Sequence, residues 1–133
     1  MGASADDMHA ILIVEDDRFN IRLLSDLCRT LNYRVRVAED GQAGLDAIEA
    51  ERPDLVLLDI MLPRLDGFEV LERLRADPRY ADLPVIMVTA MQDAEVRLRC
   101  VDLGCDDFVH KPFRIGDLRA RVESVLAQHR FRR

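Results

Sequence analysis

Residues 11–14, 55–58 and 85–88 read Ile-Leu-Ile-Val, Leu-Val-Leu-Leu and Val-Ile-Met-Val, three apolar runs without a polar break. A strand with one face in water alternates apolar and polar residues, whereas a strand covered on both faces does not. These runs therefore belong to the centre of a sheet that carries helices on either side. Strand-like stretches occur at residues 10–14, 33–38, 54–58, 83–88 and 106–110. The second alternates, with Arg34 and Arg36 between apolar neighbours, as an edge strand would. Between the stretches the apolar period becomes helical. The repeats are Phe19, Leu23, Leu24, Leu27 and Leu31; Ala43, Ala47 and Ile48; Phe68, Leu71 and Leu74; Val96, Cys100, Val101 and Leu103; and Leu118, Val122, Val125 and Leu126. Asn32, Pro53, Asp77-Pro78, Pro84 and Gly104 punctuate the boundaries, and Asp40-Gly41 opens the second helix. Strict alternation of strand and helix implies an α/β fold, a (βα)5 doubly wound five-stranded parallel sheet.

With 133 residues, 49% of them hydrophobic, the chain suits one domain with a substantial core. Its expected limits are residues 10–128, with a flexible N-terminal segment at 1–9 and a basic tail or linker start at 129–133. The net charge of −6 argues against direct nucleic acid binding by this domain and favours a metal ion or cationic partner. Cys28, Cys100 and Cys105 lack the spacing of a zinc site and read as reduced packing residues. No apolar run approaches the length of a transmembrane segment, and residues 1–8 lack the apolar stretch of a signal peptide. A cytoplasmic location is the expectation.

Charge follows the apolar runs directly, at Glu15-Asp16-Asp17, Asp59 and Lys111. Doubly wound sheets bind ligands beyond the C-terminal strand ends, where the strand order reverses. The runs do not dictate that order, but the flavodoxin-like order 2-1-3-4-5 is a common one. It would set Glu15 and Asp16 beside Asp59, with Thr89 and Lys111 arriving from the fourth and fifth strands. Crowded carboxylates repel and raise one another's pKa values. A divalent cation relieves that conflict. Mg²⁺, or Mn²⁺ in its place, suits hard oxygen ligands, while zinc would call for Cys or His. A strand-end carboxylate beside such an ion can act as a nucleophile and form an aspartyl phosphate, and Asp59 is the candidate. Lys111 and the Thr89 hydroxyl would then meet phosphoryl oxygens.

The segments ILIVEDD, DLVLLDIMLPRLDGFEVL, PVIMVTA and GCDDFVHKPF, at these separations, closely resemble the receiver domain of two-component response regulators. The resemblance implies that Glu15 and Asp16 form the acidic pair, Asp16 as a direct Mg²⁺ ligand and Glu15 acting mainly through water. It makes Asp59 the phosphoacceptor and the backbone carbonyl of Met61 a further metal ligand. Thr89 and Lys111 would hold the phosphoryl group, Thr89 and Phe108 would form the switch, and Lys111-Pro112 would be a cis peptide. The donor would be a sensor histidine kinase or a phosphotransfer protein, and the readout the face of the fourth helix, fifth strand and fifth helix. Such a domain catalyses its own Mg-dependent phosphotransfer and slow autodephosphorylation and is not a conventional enzyme. Met61 and Met91 occupy positions that govern access of water, so a long-lived phosphoryl state is expected.

The output is less constrained. Arg97 with Asp117, and Asp107 with Arg121, match charged positions that pair across a homodimer in the winged-helix transcription regulators of this family. The polar stretch 75–84 instead resembles stand-alone receivers or those fused to kinases and cyclic-nucleotide enzymes, and the end of the chain leaves no room for an output domain. An alternative is a phosphorylation-independent interaction module of the same fold. A phosphoaspartate-class hydrolase would need Asp at position 61, which is Met; an FMN protein would need a Ser/Thr/Gly loop where Glu15-Asp16-Asp17 stands. No P-loop is present.

Overall fold

The structure is a computed structural model and describes residues 8–91 and 93–130. Its elements are β1 (Ala10–Val14), α1 (Arg18–Thr30), β2 (Arg34–Ala38), α2 (Gly41–Ala50), β3 (Leu55–Leu58), α3 (Gly67–Ala76), β4 (Val85–Thr89), α4 (Ala94–Asp102), β5 (Asp107–His110) and α5 (Ile115–Arg130). The strands form one parallel sheet in the order β2-β1-β3-β4-β5, the flavodoxin-like arrangement.

The apolar runs of β1, β3 and β4 are buried throughout. Successive side chains of a strand point to opposite faces, so each run feeds two cores. Leu12, Val14, Val56, Leu58, Val85 and Met87 face Ile48 of α2, Phe68, Val70, Leu71 and Leu74 of α3, and Cys100 of α4. Ile11, Ile13, Leu55, Leu57, Ile86 and Val88 face Leu24 and Leu27 of α1 and Leu118, Val122 and Val125 of α5. The alternating β2 lies at one edge of the sheet and β5 at the other.

Helix ends follow local chemistry. Asp17, Asp40, Asp66 and Asp93 cap α1, α2, α3 and α4 with their side chains. At α3 the bond is reciprocal, since Glu69 returns to the amide of Asp66 in a capping box. After α4, Gly104 takes a φ of 91°, a left-handed value that suits a residue without a Cβ.

The helical repeats do not all reach the core. Phe19 is 73% exposed and Val101 61% exposed, because both lie on solvent-facing sides that a short repeat alone does not distinguish. Cys100 is the sole buried residue of α4. Thr89 closes β4 rather than following it, and α3 continues to Ala76, so the stretch 75–84 begins inside a helix. Arg75 is held there by Gly104 O at 2.9 Å, Tyr80 O at 3.1 Å and Asp106 at 3.2 Å. Asp106 also accepts from the amide of Val85 at 2.8 Å and meets His129 of α5 at 2.9 Å. Helix α5 thus takes in His129; residues 1–7 of the expected flexible segment and 131–133 of the basic tail lie outside the described residues. The three cysteines are free, and burial pushes the Cys28 thiol up to about 11. Among the described residues no helix is long and apolar enough to cross a membrane.

Candidate functional site

Strand register builds the site. Val14 is paired with Leu58, so the next residues, Glu15 and Asp59, leave adjacent strands at the same level. Backbone bonds extend the ladder past the strand ends: the amide of Asp59 donates to Val14 O at 3.0 Å, and that of Glu15 to Ala38 O at 3.0 Å. On the other side Thr89 is paired with His110, and the amide of Lys111 donates to Thr89 O at 2.8 Å. The pocket is therefore an extension of four strands rather than a mobile loop.

Of the acidic triplet after β1, Asp17 is committed elsewhere, its carboxylate accepting from the amide of Asn20 at 2.9 Å to cap α1. Glu15 and Asp16 remain. Their carboxylates and that of Asp59 converge, with one oxygen from each lying within 4.8 Å of the others. Glu15 and Asp59 are buried, at 1% and 6% exposure, while Asp16 is exposed at the mouth. The Lys111 ammonium lies 2.9 Å from Asp59 Oδ2 and is hydrogen-bonded to Glu15 Oε1. Glu15 Oε2 also accepts from the amide of Asp16 at 3.0 Å.

One ammonium among three carboxylates leaves an excess of negative charge in a partly dry pocket. The carboxyl of Glu15 responds: burial, then the bond to Asp59, push its pKa up to about 7 against the lowering influence of Lys111. Burial works against the Lys111 ammonium, but its bonds to Glu15 and Asp59 outweigh that and its pKa is raised. The donor set consists of hard oxygens with an open side at Asp16, which fits a hard divalent cation that keeps part of its water shell.

The other expected residues surround this cluster. Met61 donates its amide to Asp59 Oδ1 at 3.4 Å and exposes 66% of its surface. Thr89 is buried, and its hydroxyl accepts from the amide of Met91 at 3.2 Å. The Lys111–Pro112 peptide is cis. Phe108 is half-buried on β5, edge-to-face with His110 at 4.9 Å between ring centroids, and the Arg97 guanidinium sits 5.8 Å from its ring. Of the four charged residues expected on a dimer face, Arg121 is satisfied within the chain, by Asp107 at 2.7 Å and Asp117 at 3.1 Å.

One positioning residue was not singled out by its chemistry. Gly67, the first residue of α3, lies against the chain that carries Asp59. A Cβ there would come within 2.2 Å of Asp59 O and 2.7 Å of Ile60 Cα. The glycine after the helix-capping Asp66 was the available signal, but its contact is made across a loop and is invisible to a local pattern.

Residues 11–123 match the model of the response regulator receiver domain. The chain belongs to that family. The DNA-binding dual master transcriptional regulator RpaA of Synechocystis is 41% identical over 119 residues, 90% of this chain and 49% of that protein. The response regulator MprA of Mycolicibacterium vanbaalenii is 42% identical over 87% of this chain and 49% of its own length. This receiver domain thus spans about half the length of these curated relatives. Among solved structures, a response regulator of Chloroflexus aurantiacus superposes with a TM-score of 0.87 at 34% identity, covering 91% of this chain and 99% of that one. The receiver domain of a Pseudomonas aeruginosa sensor histidine kinase, described with magnesium coordinated in its active-site cleft, gives 0.83 at 31% identity over 90% and 98%. This chain is accordingly a response regulator receiver of two-component signalling.

Proposed function

We propose that this receiver accepts a phosphoryl group on Asp59 from a histidine kinase or phosphotransfer protein, in a reaction that depends on Mg²⁺. The observation that carries the reading is the convergence of Glu15, Asp16 and Asp59, with Lys111 bonded to both Glu15 and Asp59. Glu15, Asp16, Asp59 and the backbone carbonyl of Met61 would hold the ion, Glu15 mainly through water. When bound, Mg²⁺ supplies positive charge to the transferring phosphoryl oxygens and to the attacking carboxylate. Asp59 contributes the nucleophilic oxygen, held on a strand end so that its orientation costs little at the moment of reaction. Lys111 offsets charge on a second phosphoryl oxygen, and the Thr89 hydroxyl donates to a third once it turns from its present bond with the amide of Met91. The test is acetyl phosphate labelling of the wild-type chain beside Asp59→Asn, with intact mass as the readout. Absence of label would return the domain to the phosphorylation-independent interaction reading.

A pH dependence follows from Glu15. In the metal-free pocket its pKa stands at about 7, so below that pH a proton must leave before the cation can be fully engaged. Mg²⁺ affinity measured by titration should rise by up to about tenfold per pH unit as pH increases toward 7 and level off above it. A flat profile between pH 5.5 and about 8 would contradict the role given to Glu15.

Thr89 and Phe108 form the proposed switch. Helix α4, which buries only Cys100 fully and packs Val96 and Arg99 more loosely, is the element proposed to respond, while α5 is tied to β5 by Asp107–Arg121 and to the residue before it by Asp106–His129. The same face would make the phosphorylation-dependent dimer. Arg97 has no ion pair among the described residues, so Arg97 with Asp117 of a second copy is the pairing that needs least rearrangement. Sedimentation with and without beryllofluoride tests this: a shift to dimer that Arg97→Glu removes is expected, and a monomer under both conditions would refute it.

A further inference from the structure

Beside the phosphoacceptor pocket runs a groove of about 520 Å³, between the segment that follows β3 and helix α4. It shares Asp16 and Met61 with the pocket, and its walls are apolar, formed chiefly by Met61, Leu62, Phe68 and Met91. Two of its charged residues are already engaged. Asp16 belongs to the carboxylate cluster, and Asp66 accepts the amide of Glu69 at 2.9 Å as the cap of α3. Arg99 is different. Its guanidinium stacks on the Phe68 ring at 4.1 Å from the centroid and has no ion pair among the described residues.

An apolar, aromatic-lined groove of this volume, with a single uncommitted cation, has the anatomy of a small-molecule subsite. Its continuity with the pocket at Asp16 and Met61 says which part of a donor it would meet. A donor transferring its phosphoryl group to Asp59 must send its leaving group outward, past the mouth that Met61 and Met91 flank. A leaving group with a flat apolar body and an emerging negative charge would match the thioethers and the Arg99 guanidinium together, with Phe68 buried behind that guanidinium and holding it in place.

We propose that this groove is a leaving-group subsite and that it selects, among small donors, mixed anhydrides of phosphoric acid with an aromatic carboxylic acid. The inference rests on Asp59 being the phosphoacceptor. In the step, a carboxylate oxygen of Asp59 attacks phosphorus and the bond from phosphorus to the acyl oxygen breaks. The electron pair stays with that oxygen, and the aromatic carboxylate departs as an anion. No proton is transferred and no atom changes oxidation state. Acetyl phosphate undergoes the same step with a methyl group that leaves the groove unfilled.

The experiment compares benzoyl phosphate with acetyl phosphate on the full chain in Mg²⁺, following the rate of phosphoryl gain by intact mass. Each rate is divided by that donor's rate of uncatalysed hydrolysis as the dianion, which breaks the same phosphorus–oxygen bond and so removes intrinsic reactivity. A corrected preference for benzoyl phosphate of about tenfold or more is expected, since filling an apolar site discriminates on this scale. Leu62→Asn and Arg99→Gln should each lower the ratio. Independently of transfer, benzoate should shift the methyl resonances of Met61 and Met91 in methyl-labelled protein, and acetate should not. Labelling by both donors with a corrected ratio near one and no methyl shift would overturn the subsite and make the groove a contact surface for a partner, leaving Asp59 in its role. Labelling by neither would overturn both.

Discussion

Asp59→Asn should remain unlabelled by acetyl phosphate under conditions in which the wild-type chain gains one phosphoryl group, a fall in rate of at least about a thousandfold, as expected for loss of a nucleophile. The carboxamide has nearly the same volume as the carboxylate, and Asp59 is buried at a strand end. The variant should therefore fold. Its amide oxygen can still accept from Lys111, which now lies 2.9 Å from Asp59 Oδ2. What it lacks is a nucleophilic oxygen and one of the three carboxylates that converge on the cation site. Mg²⁺ affinity should fall as well, though by much less than transfer, because Glu15 and Asp16 remain. A label that persists in the variant would place the acceptor elsewhere and end the proposed reading.

The second large effect is structural. Gly67→Ala is expected to destabilise the domain by about 3 kcal/mol, the scale of overpacking against groups that cannot yield. The added Cβ would meet backbone atoms, at 2.2 Å from Asp59 O and 2.9 Å from Asp59 C. Side chains can rotate away from such a contact, whereas here α3 or the end of β3 must move. The melting temperature should fall by roughly 10 °C, and any displacement of β3 also displaces Asp59 from the carboxylate cluster, so Mg²⁺ affinity should drop in the surviving folded protein. Gly116→Ala provides the control. At that position a Cβ meets nothing within 4 Å, and the change should be neutral or slightly stabilising. Equal stability of the two variants by thermal melting would refute the packing argument.

The sequence disclosed the sheet more readily than the helices that cover it. Strands buried on both faces are apolar along nearly their whole length, so β1, β3 and β4 are legible from their unbroken apolar runs. Placement of Glu15, Asp59 and Lys111 followed from their positions directly after those strands. The strand order did not, because parallel neighbours are chosen by tertiary packing and no local pattern records the choice. Phe19 and Val101 misled for a related reason: a helical repeat identifies the helix but, in a short segment, not which apolar residue lies at the margin of the buried stripe. The network of Arg75, Asp106 and His129 is not legible in the sequence because it joins residues distant in the chain, and each looks like an ordinary surface charge by itself. Asp17 shows the converse. It sits in the acidic triplet with Glu15 and Asp16, yet its carboxylate is needed to start α1, and only the hydrogen bond to Asn20 separates its role from theirs.

Lys111 meets a carboxylate 96 residues earlier, in Glu15, and another 52 residues earlier, in Asp59. A chain that has assembled β1 and β3 but not yet docked β5 has brought its acidic groups together without the ammonium that offsets them. In such a sheet the pocket would be electrostatically unfavourable, and docking of β5 with Lys111 would complete it. A chain lacking β5 would hold the carboxylates without the ammonium that makes their proximity tolerable, so a complete pocket requires a complete sheet.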